Sequence, residues 1–202
     1  MAYNPRAAVR YIGMEISPET RHAILEFAAD VVSRRLGADP RPLPNLTDPI
    51  FSRNGACFVS LHRRSNHQLR GCIGFIDSGK TLMQALTGAS ESVIGDPRFL
   101  VQPVSRFELP DLTIEVTILG PLQKVNSPLD FDPKEHGIHL LFRGRTGLFL
   151  PQVGRETGWT REQLLGRLCT EKLGANELSW KDPAAELRIF MADIVGPAPI
   201  QG

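Results

Sequence analysis

The residues of this chain best placed to do chemistry lie in one hexapeptide, Leu69-Arg70-Gly71-Cys72-Ile73-Gly74. A thiolate is a strong nucleophile, and a nearby cation favours it over the thiol, whose reference pKa is about 8.5. At a strand's period of two, Leu69, Gly71, Ile73 and Phe75 share one face and Arg70, Cys72 and Gly74 share the other. The Arg70 and Cys72 Cα atoms then stand about 6–7 Å apart on one face. Glycine weakens a strand, so Gly71 and Gly74 point to a bulge or to close approach by a ligand or another backbone. On one reading their freed N–H groups bind an anion or oxyanion. On the other they only make room for a packed helix, and Cys72 is a small buried hydrophobe.

A nucleophilic thiol also calls for a base. His62, on the preceding strand, and His136, before a glycine, are the candidates, and either could instead be structural. Glu115 stands between Thr113 and Thr117, opposite an apolar stripe. It could pair with Arg70 to brace the sheet, carry a proton, or orient a substrate amine. Asp96-Pro97-Arg98-Phe99 forms a rigid turn whose Asp96 and Arg98 can hold it or face a site. No metal is expected. His62, His67 and Cys72 lack the spacing of structural zinc ligands, and strand alternation sends His136 and His139 to opposite faces.

Gly74-Phe75-Ile76-Asp77-Ser78-Gly79-Lys80-Thr81 fits the phosphate-loop pattern G-x-x-x-x-G-K-S/T, between a strand and a helix. Bulky Phe75 and Ile76 and the negative Asp77 sit badly in a cradle of bare backbone N–H groups. Nucleotide binding there is therefore a distant third reading of function.

The elements that must position these residues are legible from periodicity. Ser17, Pro18 and Glu19 start a helix whose Leu25, Ala28, Val32 and Leu36 recur at helical spacing, with Gly37 at its end. Ala56–His62 alternates and forms a hairpin with the central strand through Arg63–Gln68. Asn66 is expected to take the left-handed conformation in that turn. Leu82, Leu86, Ala89 and Val93 mark a second helix, and Leu112, Ile114, Val116 and Ile118 a strand. A second hairpin is expected from Ile138–Phe142 and Gly147–Leu150, with its turn at Arg143–Thr146. Thr160 and Gln163 form a capping box for a helix closed by Gly174, and Trp159 and Trp180 flank it as core anchors. Leu187–Val195 reads as one last strand. Hairpins joined to helices argue an α+β fold with a mainly antiparallel sheet.

Length and composition are those of an ordinary globular chain: 202 residues, 42% hydrophobic and 22% charged. A formal charge of +1 provides no general field for polyanions, so nucleic acid is not favoured. Cys57, Cys72 and Cys169 are odd in number and widely spaced, which is no disulfide framework and suits a reducing, cytoplasmic setting. No run approaches the roughly 20 apolar residues of a membrane span.

LRGCIG, with D-P-R-F at Asp96–Phe99, Glu115-Val116-Thr117, His136-Gly137 and Gly147–Val153, resembles the AMME syndrome candidate gene 1 family, or AMMECR domain. Bacterial members are known as AmmeMemoRadiSam system protein A. The resemblance covers residues 17–195, leaving 1–16 as a loosely held arm and 196–202 as a short tail. It implies a larger sheet-and-helix part and a smaller lobe within one compact unit. The residues themselves offer a candidate site of Cys72, Glu115, His62 and His136, with Arg70, Gly71, Gly74, Asp96, Arg98 and Gln152 as candidate substrate contacts. The resemblance also implies a shared pathway with Memo-like and radical SAM proteins, with iron–sulfur chemistry left to a partner because this chain has no C-x3-C-x2-C run. The family's activity is not established. Two functions follow as expectations: a cysteine-dependent enzyme modifying a small molecule or protein, or a non-catalytic adaptor using the same face.

Overall fold

Residues 16–38, 42–76 and 79–200 are described by a computed structural model of the chain. They contain two antiparallel four-stranded sheets flanked by helices, the α+β architecture expected from the hairpin-and-helix pattern. Two compact units result. One comprises Met1–Leu119 and Asp193–Gly202, the other Gly120–Ala192.

The first unit opens with α1 (Pro18–Arg35), whose N-terminus is built as its sequence requires. The Ser17 hydroxyl accepts from the Thr20 N–H at 3.1 Å, Pro18 takes the first turn, and Arg34 and Arg35 lie in the last turn, at the negative end. β1 (Ala56–Arg63) and β2 (Leu69–Phe75) form the expected hairpin, followed by α2 (Leu82–Ser92) and β3 (Leu112–Leu119). With β8 (Ala192–Pro199) the strand order is β2-β1-β3-β8, so β2, which bears Cys72, is an edge. Cys57, Val59 and Leu61 of β1 stand opposite Phe75, Ile73 and Gly71 of β2 and Ile118, Val116 and Ile114 of β3. This is the core face, covered by Ile24, Ala28 and Val32 of α1 and Ala85, Leu86 and Ala89 of α2. Each such large aliphatic side chain, fully buried, contributes about 1.5–3 kcal/mol.

The hairpin turn departs from expectation at one residue. His67, not Asn66, adopts the left-handed conformation, at φ 58°. Asn66 instead uses its side chain, whose Oδ1 accepts from the Gln68 N–H at 3.0 Å. The amide thus closes a turn of its own and hands the positive φ to its neighbour.

The second unit contains β4 (Gln123–Lys124), β5 (Gly137–Phe142), β6 (Arg145–Phe149), α3 (Pro151–Thr157), α4 (Arg161–Arg167) and β7 (Glu186–Phe190), with sheet order β4-β7-β5-β6. The β5–β6 turn is tighter than Arg143–Thr146: Arg143 and Gly144 both take positive φ, 50° and 78°, the pattern of a two-residue hairpin. The Thr160–Gln163 capping box forms as read, but past Arg167 the helix widens into a π turn at Leu168–Lys172. Leu164, Leu168, Cys169 and Trp180 are buried in this unit's core, with Trp159 packed against it. The single last strand expected over Leu187–Val195 is two strands. β7 belongs to the second sheet and β8 to the first, and the chain changes sheets at Met191. Residues 196–199 continue β8, and Ile200 is buried, its N–H donating to the Leu112 carbonyl at 3.0 Å.

Candidate functional site

Cys72 sits in mid-strand on β2, on the face away from the α1–α2 core. Its cross-strand neighbour on β1 is Ser60, and Ser60 stands opposite Glu115 on β3. One row of the sheet therefore runs Cys72, Ser60, Glu115. Directly opposed residues have Cβ atoms about 4.5–5.5 Å apart, so Glu115 is two steps from the sulfur and Ser60 one. Alternation alone put Ser60 on this face, but only the register shows that it faces Cys72. Cys72 and Glu115 are half-buried, and Ser60 is buried.

The cation at Cys72 is Arg98, not Arg70. Because β2 is an edge strand, the Cys72 N–H points out of the sheet, where Asp96 Oδ2 accepts it at 2.8 Å. Asp96 also accepts from the Arg98 backbone N–H at 3.0 Å and from Arg98 Nε and Nη2 at 3.1 and 2.6 Å. Arg98 Nη2 donates in turn to the Cys72 carbonyl at 3.3 Å. The proline between them makes this possible: Pro97 opens a tight turn whose first N–H groups fold back on Asp96. Burial pushes the Asp96 carboxyl up, but hydrogen bonds from Arg98 and the Cys72 and Arg98 N–H groups outweigh it and hold it at about 2. Arg98 is raised, first by its hydrogen bond to Asp96 against an opposing burial effect, then by attraction to Asp96 and Cys72.

Arg70 has different work. β1 and β2 slip register between Leu61 and His62, so that Leu61 faces Gly71 and His62 faces Leu69, leaving Arg70 as the extra residue of a bulge. Its buried guanidinium forms a fork on Glu108, Nε to Oε2 at 2.9 Å and Nη2 to Oε1 at 3.0 Å. Nη2 also donates to the Gln102 carbonyl at 2.9 Å. The carboxylate it grips is thus Glu108 and not Glu115. Phe99 lies between the two arginines, its centroid 5.7 Å from Arg70 Cζ and 5.6 Å from Arg98 Cζ.

The glycines of the motif do mark close approaches, and the approaching groups belong to the protein. A Cβ on Gly71 would lie 2.4 Å from the Val93 carbonyl oxygen, and one on Gly74 would lie 2.3 Å from the Phe58 ring. The other sequence candidates are more dispersed. His62 is on the Cys72 face but diagonal to it, and burial, then His67, lowers its pKa so that it is neutral at neutral pH. His136 and Gln152 belong to the second unit, where His136 Nδ1 accepts from the Asp132 N–H at 2.9 Å and Gln152 is the second residue of α3. Among the described residues no group of three or more His, Cys, Asp or Glu is arranged to hold a metal ion. No helix there is long and apolar enough to cross a membrane.

The phosphate-loop pattern is partly outside the described residues, at 77–78. Its lysine and threonine are otherwise engaged: Lys80 Nζ lies 5.3 Å from the Phe75 ring centroid, and the Thr81 hydroxyl caps α2 through the Gln84 N–H at 3.3 Å. β2, which precedes it, is antiparallel to β1 rather than part of a parallel nucleotide-binding sheet.

Asp96 makes the site acid-sensitive. A carboxyl of about 2 in the folded chain and about 3.9 unfolded contributes stability that is complete above the unfolded value and lost as pH falls through the folded one. The melting temperature of the parent should therefore fall more steeply between pH 5 and 2 than that of Asp96→Asn. Glu108 titrates in both proteins, so the difference isolates Asp96; parallel curves would show that its carboxylate is not held in this way.

A family model described as AMMECR1 matches residues 25–195. A protein of Methanothermobacter thermautotrophicus is 34% identical over 187 residues, which is 89% of this chain and 95% of that protein. One from Methanopyrus kandleri is 37% identical over 157 residues, 73% of each chain. Among solved structures, that of an uncharacterized protein from Pyrococcus horikoshii matches with a TM-score of 0.78 at 29% identity, over 90% of this chain and 93% of that one.

Proposed function

This chain belongs to the AMMECR1 family, and from that premise we propose that it works through the Cys72 thiol as a nucleophile toward an electrophilic group on its substrate. The observation that carries this reading is a half-buried sulfur on an edge strand, with the Arg98 guanidinium held at the same residue's backbone carbonyl. A thiolate formed there has a positive charge at the same residue, held in place by Asp96. His62, neutral and diagonal to Cys72 on the same face, is the imidazole the register places to take a proton. The other two thiols have no such role: Cys57 and Cys169 are fully buried, and burial pushes Cys57 up to about 12 and raises Cys169.

Iodoacetamide labelling followed by peptide mass mapping tests this. Cys72 should alkylate at neutral pH at least about a hundredfold faster than Cys57 or Cys169, and Arg98→Gln should slow it severalfold. Equal, slow labelling of all three thiols would remove the nucleophile. The adaptor reading draws its support from a different observation, an exposed apolar loop beside the same edge; an adaptor keeps its partner after Cys72→Ser.

A further inference from the structure

Three of the six large hydrophobic residues exposed among the described residues fall in one loop: Leu100 at 62%, Val101 at 98% and Phe107 at 90% exposure. The loop is not loose. Val104 and Leu109 anchor it in the core, Arg70 grips its Gln102 carbonyl and its Glu108, and the Ser105–Glu108 capping box shapes its second turn. A firmly held backbone that presents an aromatic and two aliphatic side chains to water is the anatomy of a recognition surface.

We propose that residues 97–110 form a docking surface for an acidic, apolar polypeptide segment. The charge around the loop decides the occupant. Between Pro97 and Pro110 the one acid is Glu108, already held by Arg63 and Arg70, and of the two flanking acids Asp96 is buried against Arg98 and Asp111 accepts from Ser65. Arg64 and Arg106, by contrast, are exposed, and the Arg98 side chain, paired with Asp96, is still 55% exposed. A second copy of this chain would bring the same basic patch onto itself. Residues 1–15 carry Arg6 and Arg10 against Glu15 alone, so they offer the wrong sign. An anionic membrane surface is ordinarily recognised by clusters of about four to eight basic residues. Here there are three arginines, and no lysine stands between Lys80 and Lys124. A segment bearing Asp or Glu among Phe, Trp or Leu meets both features, its apolar side chains covering Phe107 and Val101 and its carboxylates facing Arg106 and Arg64.

The loop also leads to the thiol. It begins at the Asp96–Arg98 turn, which holds the Cys72 N–H and carbonyl, so the docking surface is continuous with the strand that bears the thiol. Delivery of a docked segment to that strand rests on the thiol reading and makes the substrate class a protein rather than a small molecule; the docking itself does not rest on it.

The test selects displayed random dodecapeptides on the full chain and measures the enriched peptide, fluorescein-labelled, by anisotropy. Enrichment of acidic residues with aromatic or leucine anchors is expected. Binding should weaken at least about tenfold on Val101→Ser/Phe107→Ser, and severalfold on Arg106→Glu. All three positions are exposed, so folding is preserved, which circular dichroism verifies. No enrichment, lysine- or arginine-rich peptides, or equal binding to the double variant would overturn the proposal. So would self-association in sedimentation, or binding to phosphatidylserine vesicles, that the double variant abolishes. Cys72→Ser should bind the peptide unchanged. Intact docking beside an unreactive Cys72 sinks only the thiol reading, and a reactive Cys72 without docking sinks only this one.

Discussion

Glu108→Ala is expected to cost about 3 kcal/mol, for it leaves a buried arginine without its carboxylate. Glu108 is a hub. Its two oxygens accept from Arg70 Nε and Nη2, from Arg63 Nη2 at 3.1 Å, and from the Ser105 N–H at 3.1 Å. The Arg70 side chain is 6% exposed and Glu108 23%, so water reaches the carboxylate far more easily than the guanidinium. Removing the acid strands the cation and also uncaps the second turn of the loop. For a chain of this size the loss corresponds to a fall in melting temperature of about 6–12 °C. The double variant Arg70→Met/Glu108→Leu should recover most of that loss, because it removes the stranded charge together with its partner. A single variant that melts within 2 °C of the parent would mean the fork contributes little.

The acid response of the fork has a definite sign. The Glu108 carboxyl is held below its usual range, by the Arg70 hydrogen bond first, then against burial by the Ser105 N–H and by Arg70 and Arg63. A depressed carboxyl contributes stability above its unfolded value of about 4.3 and loses it as pH falls through the folded one. Parent and Glu108→Ala should accordingly differ most near neutral pH and converge in acid.

What could be read from the sequence, and what could not, divides along a physical line. Strand alternation in Ala56–His62 and Leu112–Leu119 and the stripe Leu82, Leu86, Ala89, Val93 report which side of an element meets the core, and each does so in the fold. The caps at Ser17 and Thr160 form as well, because a cap is settled within four residues. Partnerships between elements are another matter. Arg70 and Arg98 both stand near Cys72 in some sense, one by sequence and the other by the turn at Asp96–Phe99. A bulge of one residue takes the first out of the site, and no local propensity announces where that slip falls. Ser60 faces Cys72 for the same reason, since register is invisible to periodicity. The Leu187–Val195 run holds no glycine or proline, and nothing local marks Met191 as the place where the chain leaves one sheet for the other.

Gly71 brings these threads to a measurable end. Its backbone conformation is one that alanine could adopt, and alanine in place of a strand glycine ordinarily adds about 0.4–1 kcal/mol by restricting the unfolded chain. Gly71→Ala should do the reverse. The new methyl would stand 2.4 Å from the Val93 carbonyl oxygen and 3.2 Å from Val93 Cγ2, and a backbone carbonyl cannot rotate aside as a side chain can. Overpacking of this kind costs about 1–3 kcal/mol, a fall in melting temperature of several degrees. Gly95→Ala, where no atom lies within 4 Å of the added Cβ, is the matched control and should be neutral or slightly stabilising. The displaced segment, Val93–Gly95, leads directly into Asp96, which must reach the Cys72 N–H at 2.8 Å. Pushing that segment off β2 therefore loosens the site as well as the fold, and the Cys72 amide should exchange with solvent faster in Gly71→Ala than in Gly95→Ala. If Gly71→Ala were instead stabilised and its Cys72 amide unchanged, the glycine would not be what lets the Asp96 turn close on the strand, and the space beside it would be left for a ligand.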